Sequence, residues 1–239
     1  MTLAKCRRAL IAGLRKSRLP KEYQEVEWIR CVQGQFINTK LMPQFYDICE
    51  AKFAIHEVQN TDYVPTLSSY QHAYLMYHCS YSPKANSAYA INNWSVFLST
   101  QGWVAVTSNF RDRINHNIAY AVNGIRYVKD VDTDTLLYRR DYSDYINAYN
   151  VVPYAIFARG NSGSTTTSMT VAYGTDQTLY SMNIWRGNSS GEKVELVRNY
   201  VPCYRKADNV PGLYDLVTNE FYVRGNTSLA DFTVGPDVN

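Results

Sequence analysis

The 239-residue chain is 46% hydrophobic and 19% charged and holds only 12 Gly and 8 Pro, which excludes a disordered or collagen-like protein and leaves enough apolar side chain for a sizeable core. Its net charge of +3 divides unevenly: Lys5, Arg7, Arg8, Arg15, Lys16, Arg18 and Lys21 precede the first acid, Glu22, and the remainder, with 17 basic against 21 acidic residues, carries −4. No stretch approaches the roughly 18 consecutive apolar residues of a membrane-spanning helix, so a soluble chain with no membrane span is expected.

In the basic arm, Leu3, Cys6, Leu10, Ile11 and Leu14 recur at helical spacing, with Arg7, Arg8, Arg15 and Lys16 largely on the other side. The pattern predicts a short N-terminal amphipathic helix. Its apolar stretch, Ala9 to Leu14, is too short for a signal-peptide core. Residues 1–19 are expected to dock on a partner protein through Leu3, Arg7, Arg8, Leu10, Ile11, Leu14 and Arg15, with packing on the chain's own domain as the alternative. Nucleic acid and an anionic membrane surface are weaker alternatives for the same cations. Pro20 restricts Leu19 to extended geometry and closes the arm.

From residue 20 to 239 the hydrophobic period changes to two, and one domain is expected. Strands are predicted at Gln35–Thr39, Ile48–Ile55, Ala73–Cys79, Ser87–Ile91, Trp94–Leu98 and Trp103–Thr107. Trp94 and Trp103 flank a turn at Gln101-Gly102, near Asn92 and Asn93; aromatic rings beside amides are a candidate carbohydrate platform, core packing being the alternative for each Trp. Next, Asn123-Gly124 separates the alternating runs Ile118–Val122 and Ile125–Val128, which predicts a hairpin with a type I′ turn.

Asp130, Asp132 and Asp134, with Asp141 eleven positions after Asp130, have the outline of a calcium loop, but Thr135 stands where the loop needs Gly and the last acid is a short Asp. The alternative is a solvated acidic loop neutralised by Lys129, Arg139 and Arg140. Tyr138, Tyr142, Tyr145 and Tyr149 recur every three to four residues and suggest a short helix or an interface loop. The chain continues with strands at Pro153–Ala158, Thr178–Trp185, Val194–Val201 and Phe221–Val223, and with loops at Gly160–Ser168 and Gly187–Gly191. Near the end, Pro202 is expected to end a strand, Gly212 to permit a tight turn, and Tyr214-Asp215 and Phe221-Tyr222 to flank the last hairpin, with Arg198, Arg205 and Asp215 as pairing candidates.

Five widely spaced cysteines with no C-x-x-C pair argue for reduced, buried thiols. The four histidines show no metal spacing, and no nucleophile signature accompanies them.

Two segments carry a resemblance. Leu19-Pro20-Lys21-Glu22-Tyr23 through Trp28-Ile29, followed by Gly34-Gln35-Phe36-Ile37-Asn38-Thr39, resembles the opening "LPxGYxxxEYIxSxGTQYIDTG" of a family common in phages and prophages of gut bacteria. Leu196-Val197-Arg198, Val201-Pro202-Cys203-Tyr204-Arg205-Lys206, Gly212-Leu213-Tyr214-Asp215, Phe221-Tyr222 and Phe232-Thr233-Val234-Gly235-Pro236 resemble its closing "LVRDFVPCYRKSDGVAGMYDxVNxxFYxNxGTGxFTxGP". The chain departs from the pattern at Lys21 and Trp28 and in the insert Asp130 to Asn150. The resemblance implies an all-β fold, an antiparallel jelly-roll sandwich of the concanavalin A-like, laminin G-like type.

The expected function is that of a non-enzymatic phage virion protein in capsid or tail. It would be assembled in the host cytoplasm, be present in many copies and contact other virion proteins through residues 1–19. A carbohydrate-binding module for host surface glycans is the alternative. A glycoside hydrolase ranks third, because such enzymes on this fold set carboxylates at i and i+2 on one strand, about 6.6 Å apart, and no Glu-x-Asp-x-Glu occurs here. No cofactor is expected beyond the calcium that the acidic run suggests.

Overall fold

The computed structural model describes residues 18–31, 35–57, 60–61, 70–71, 76–77, 80–81, 113–141, 149–150, 153–157, 176–225 and 230–238. Among these residues every regular element is a β-strand, and no helix is long and apolar enough to cross a membrane. The expected N-terminal helix lies outside the described residues, as do the expected strands at Ser87–Ile91, Trp94–Leu98 and Trp103–Thr107 and the loop Gly160–Ser168.

The strands run β1 (Tyr23–Glu25), β2 (Ile29–Cys31), β3 (Ile37–Asn38), β4 (Ile48–Glu57), β5 (Asn60–Thr61), β6 (Tyr70–Gln71), β7 (Met76–Tyr77), β8 (Ser80–Tyr81), β9 (Ile114–Val122), β10 (Ile125–Asp130), β11 (Leu136–Asp141), β12 (Tyr149–Asn150), β13 (Ala155–Ile156), β14 (Asp176–Gly187), β15 (Lys193–Arg205), β16 (Val210–Asp215), β17 (Glu220–Tyr222) and β18 (Thr233–Val234). One large antiparallel sheet has the order β11-β10-β9-β4-β14-β15-β16-β17. Smaller ladders join β3-β13-β7, β5-β6 and β8-β12.

Alternation explains the large sheet. Along β9 the side chains from Asn115 to Val122 switch between buried and half-buried at every step, with Ala119 and Ala121 on the buried face. Asn123 and Gly124 both have positive φ, 48° and 85°, which is the I′ geometry whose twist matches the strands it joins. The expected hairpin is therefore present, with Ile125 opposite Val122.

The buried face of the sheet carries Cys49, Ala51 and Phe53 from β4, Leu179, Met182 and Ile184 from β14, and Tyr200 from β15. These form one cluster with Ile37 of β3 and Ile156 of β13, so the three-stranded ladder shares the core of the large sheet. Thr39 N donating to Tyr154 O and Tyr154 N donating to Leu41 O extend the β3-β13 pairing beyond the strands themselves.

Three expectations change. Within Asp130 to Asn150, Leu136 to Asp141 form β11 and pair with β10 across a bulge, so Tyr138 stands on a strand and not in a helix or loop, and Tyr149 belongs to β12. Tyr142 and Tyr145 lie outside the described residues. Pro202 does not end a strand, since β15 runs on to Arg205. Gly212 lies inside β16 and makes no turn.

Candidate functional site

β14 and β15 leave each other at Met182 and Tyr200, and the fork between them is filled from the other end of the sequence. β1 pairs with the far half of β15, setting Tyr23 opposite Arg205 and Glu25 opposite Cys203, while β2 pairs with the near half of β14 and with β18. Val26 N donates to Pro202 O at 3.0 Å, Glu27 N to Pro236 O at 2.9 Å, Lys206 N to Glu22 O at 2.9 Å and Val238 N to Glu25 O at 2.9 Å. A strand residue's N and O point the same way, so Pro202 turns its missing N–H into the fork, where the strand partner changes from β14 to β1 and no ladder donor is required. The opening and closing segments thus form one interlocked closure.

The arm leaves from this closure. Arg18 pairs with Glu25, its Nε 3.4 Å from Oε2, and Leu19 is buried against Val201, Cys203 and Tyr214. This second cluster sits on the face of the sheet opposite the main core, because Tyr200, Leu213 and Tyr222 point one way and their neighbours Val201, Tyr214 and Phe221 the other. The ring of Tyr23 lies 4.9 Å from those of both Tyr214 and Phe221. Gly212 leaves room for this packing, since a Cβ there would come 2.2 Å from Tyr222 O and 2.9 Å from the Phe221 ring. The uninterrupted apolar run Tyr200-Val201-Pro202-Cys203-Tyr204 is the sequence signal of a strand covered on both faces, and period-two reasoning passed over it.

Polar pairs pin the same region. Asp215 is fully buried; its Oδ1 accepts from the amides of Asn199 and Val217, its Oδ2 from the Thr218 hydroxyl at 2.8 Å, and Arg198 Nε stands 3.5 Å away. At 3.5 Å Arg198 Nε is a charge neighbour of Asp215 and not its hydrogen-bond donor, while Nη1 donates to Val197 O at 2.7 Å. Of the pairing candidates, Arg198 and Asp215 meet, whereas Arg205 turns to Asp208, 2.6 Å from its Nη2.

On the outward face of β4, β9 and β15 a chain of charges crosses the sheet. Lys193 Nζ sits 3.7 Å from the centre of the Trp185 ring and 2.9 Å from Glu50 Oε2; His116 places Nε2 3.1 Å from Glu50 Oε1 and Nδ1 3.0 Å from Asp132 Oδ1. Partial burial pushes the Glu50 carboxyl up, but the hydrogen bonds and charges of Lys193 and His116 outweigh it and hold the group below its ordinary range. Both His116 nitrogens face carboxylates, so neither is left to activate a hydroxyl or thiol. The arrangement ties the β10-β11 turn to the sheet.

The four aspartates of the acidic run are not brought together. Asp130 Oδ1 accepts the Thr133 amide, Asp132 faces His116, and Asp134 pairs with Lys129 at 2.8 Å. Asp141 lies opposite Ile125, at the other end of β10. Among the described residues no group of three or more His, Cys, Asp or Glu side chains is placed to hold a metal ion. Trp94, Trp103, Asn92 and Asn93 lie outside the described residues, as do Leu3, Arg7, Arg8, Leu10, Ile11, Leu14 and Arg15. Cys31, Cys49 and Cys203 are reduced thiols buried in the fold, as the spacing of the cysteines suggests, and Cys31 Sγ donates to Gln35 O at 3.3 Å.

No family model, no curated protein and no solved structure matches the chain.

Proposed function

We propose that this protein is a non-enzymatic structural or accessory component of bacteriophage particles, built as a concanavalin A-like jelly roll and anchored through its N-terminal arm. One observation carries the reading. The two segments that resemble the phage family, far apart in sequence, are hydrogen-bonded to each other and form the closure from which the arm departs. A basic, amphipathic arm rooted in a rigid all-β body is suited to insertion into a neighbouring protein, since the root holds the arm's origin fixed while the arm supplies the contact.

The test is assembly of virions with a chain that lacks residues 1–17. The deletion stops before Arg18 and Leu19 because both make contacts with the body. The variant should fold and remain soluble yet be missing from purified particles; incorporation at the level of the unchanged chain would refute the anchoring role.

A further inference from the structure

A sheet face turned away from the core is ordinarily polar, yet the outer face of β15, β16 and β17 is apolar. Leu19 covers part of it; Tyr23, Leu216 and Phe221 are only partly buried, and Val217, in the β16-β17 turn, is 40% exposed. We infer that the arm of the same chain completes this cover in the free protein, with Leu10, Ile11 and Leu14 against Tyr23, Leu216 and Phe221.

Tethering favours this occupant. The chain already enters the cluster at Leu19, and the next apolar residue upstream, Leu14, is five positions away, a reach of at most about 17 Å. A segment held that close has an effective concentration in the millimolar range, which a second copy does not match in dilute solution. Charge points the same way: Arg18 is paired with Glu25 at the edge of the patch, and exposed Glu22 lies beside it for Arg15 or Lys16. The inference concerns the isolated chain and does not depend on the virion reading; where both hold, docking on a partner begins with release of the stripe from this seat.

The test uses the full chain in dilute solution, with labelled Leu and Ile methyl groups and hydrogen exchange read over residues 3–16. Methyl contacts to the Tyr23 and Phe221 rings should appear at every concentration, and arm amides should exchange at least about tenfold more slowly than in a synthetic peptide of residues 1–17. A Leu10→Ser, Leu14→Ser double variant, which alters nothing in the body, should return the arm to peptide rates. Peptide-like exchange in the unchanged chain would overturn the inference, as would contacts found only between differently labelled chains and growing with concentration. Failure of particle incorporation leaves both readouts unmoved, so the two proposals fail separately.

Discussion

Asp47 is a buried acid held by three residues. It is 1% exposed, its Oδ2 accepts from the Gln44 amide at 2.7 Å and the Tyr154 hydroxyl at 3.1 Å, and Arg186 Nη1 lies 2.8 and 2.7 Å from its two oxygens. Burial pushes its carboxyl above the ordinary range, more than Arg186 and the hydrogen bonds pull it back, while burial and the nearby Asp47 charge drive the Tyr154 hydroxyl well up. Replacing Asp47 by Ala removes the buried carboxylate that Arg186 and the Tyr154 hydroxyl both face, and a loss of about 3 kcal/mol in denaturant unfolding is expected. Glu50 behaves in the opposite sense. Its folded-state pKa lies below the ordinary carboxylate value of 4.5, so its contribution is present above that pH and is lost as pH falls through the folded value. Glu50→Gln should therefore cost about 1 kcal/mol at neutral pH, and the gap between the variant and the unchanged chain should close on acidification below 4.5. Neither role was legible in the sequence, because Asp47 meets Arg186 only once β4 lies beside β14 with Ile48 opposite Trp185, and His116 meets Glu50 only once β9 lies beside β4.

At the scale of elements, strands with period-two patterning or a strong turn were legible: β9 and β10 flank the Asn-Gly turn, β14 follows its alternation, and Tyr214-Asp215 and Phe221-Tyr222 flank the β16-β17 hairpin. The misses have physical causes. β11 is rich in charge, Arg139, Arg140 and Asp141, which hides a strand from a hydrophobic pattern, and as the last strand of the sheet among the described residues it is where charge guards against further pairing. Pro202 and Gly212 carry ordinary turn signals, but the fork makes the first harmless inside a strand, and the second answers to the Phe221 ring lying across it. Gly212→Ala should accordingly destabilise the protein by about 2 kcal/mol, read as a lowered Tm. Gly124→Ala, at a φ of 85°, should cost about 1 kcal/mol without disturbing the β16-β17 pairing. A Gly212→Ala chain as stable as the unchanged protein would remove the close-packing account of this glycine.

At the scale of the whole molecule, the described residues form an all-β body in which a large antiparallel sheet and a three-stranded ladder share one core. Its closure is made by segments from the two ends of the body, and this arrangement gives the resemblance a structural meaning: those residues hold the fold shut and fix the origin of the arm. Composition and charge made the separation of a basic arm from an acidic body legible, whereas the burial of Leu19 on the sheet's outer face was not, because it depends on an apolar surface assembled from β1, β15, β16 and β17. The most direct test of the account is quantitative mass spectrometry of phage particles purified by density gradient from cells that express this chain. The account predicts that the chain travels with the particles in a fixed ratio of several copies each and survives high-salt washing. Its absence from intact particles, with the protein left wholly in the soluble fraction, would contradict the assignment.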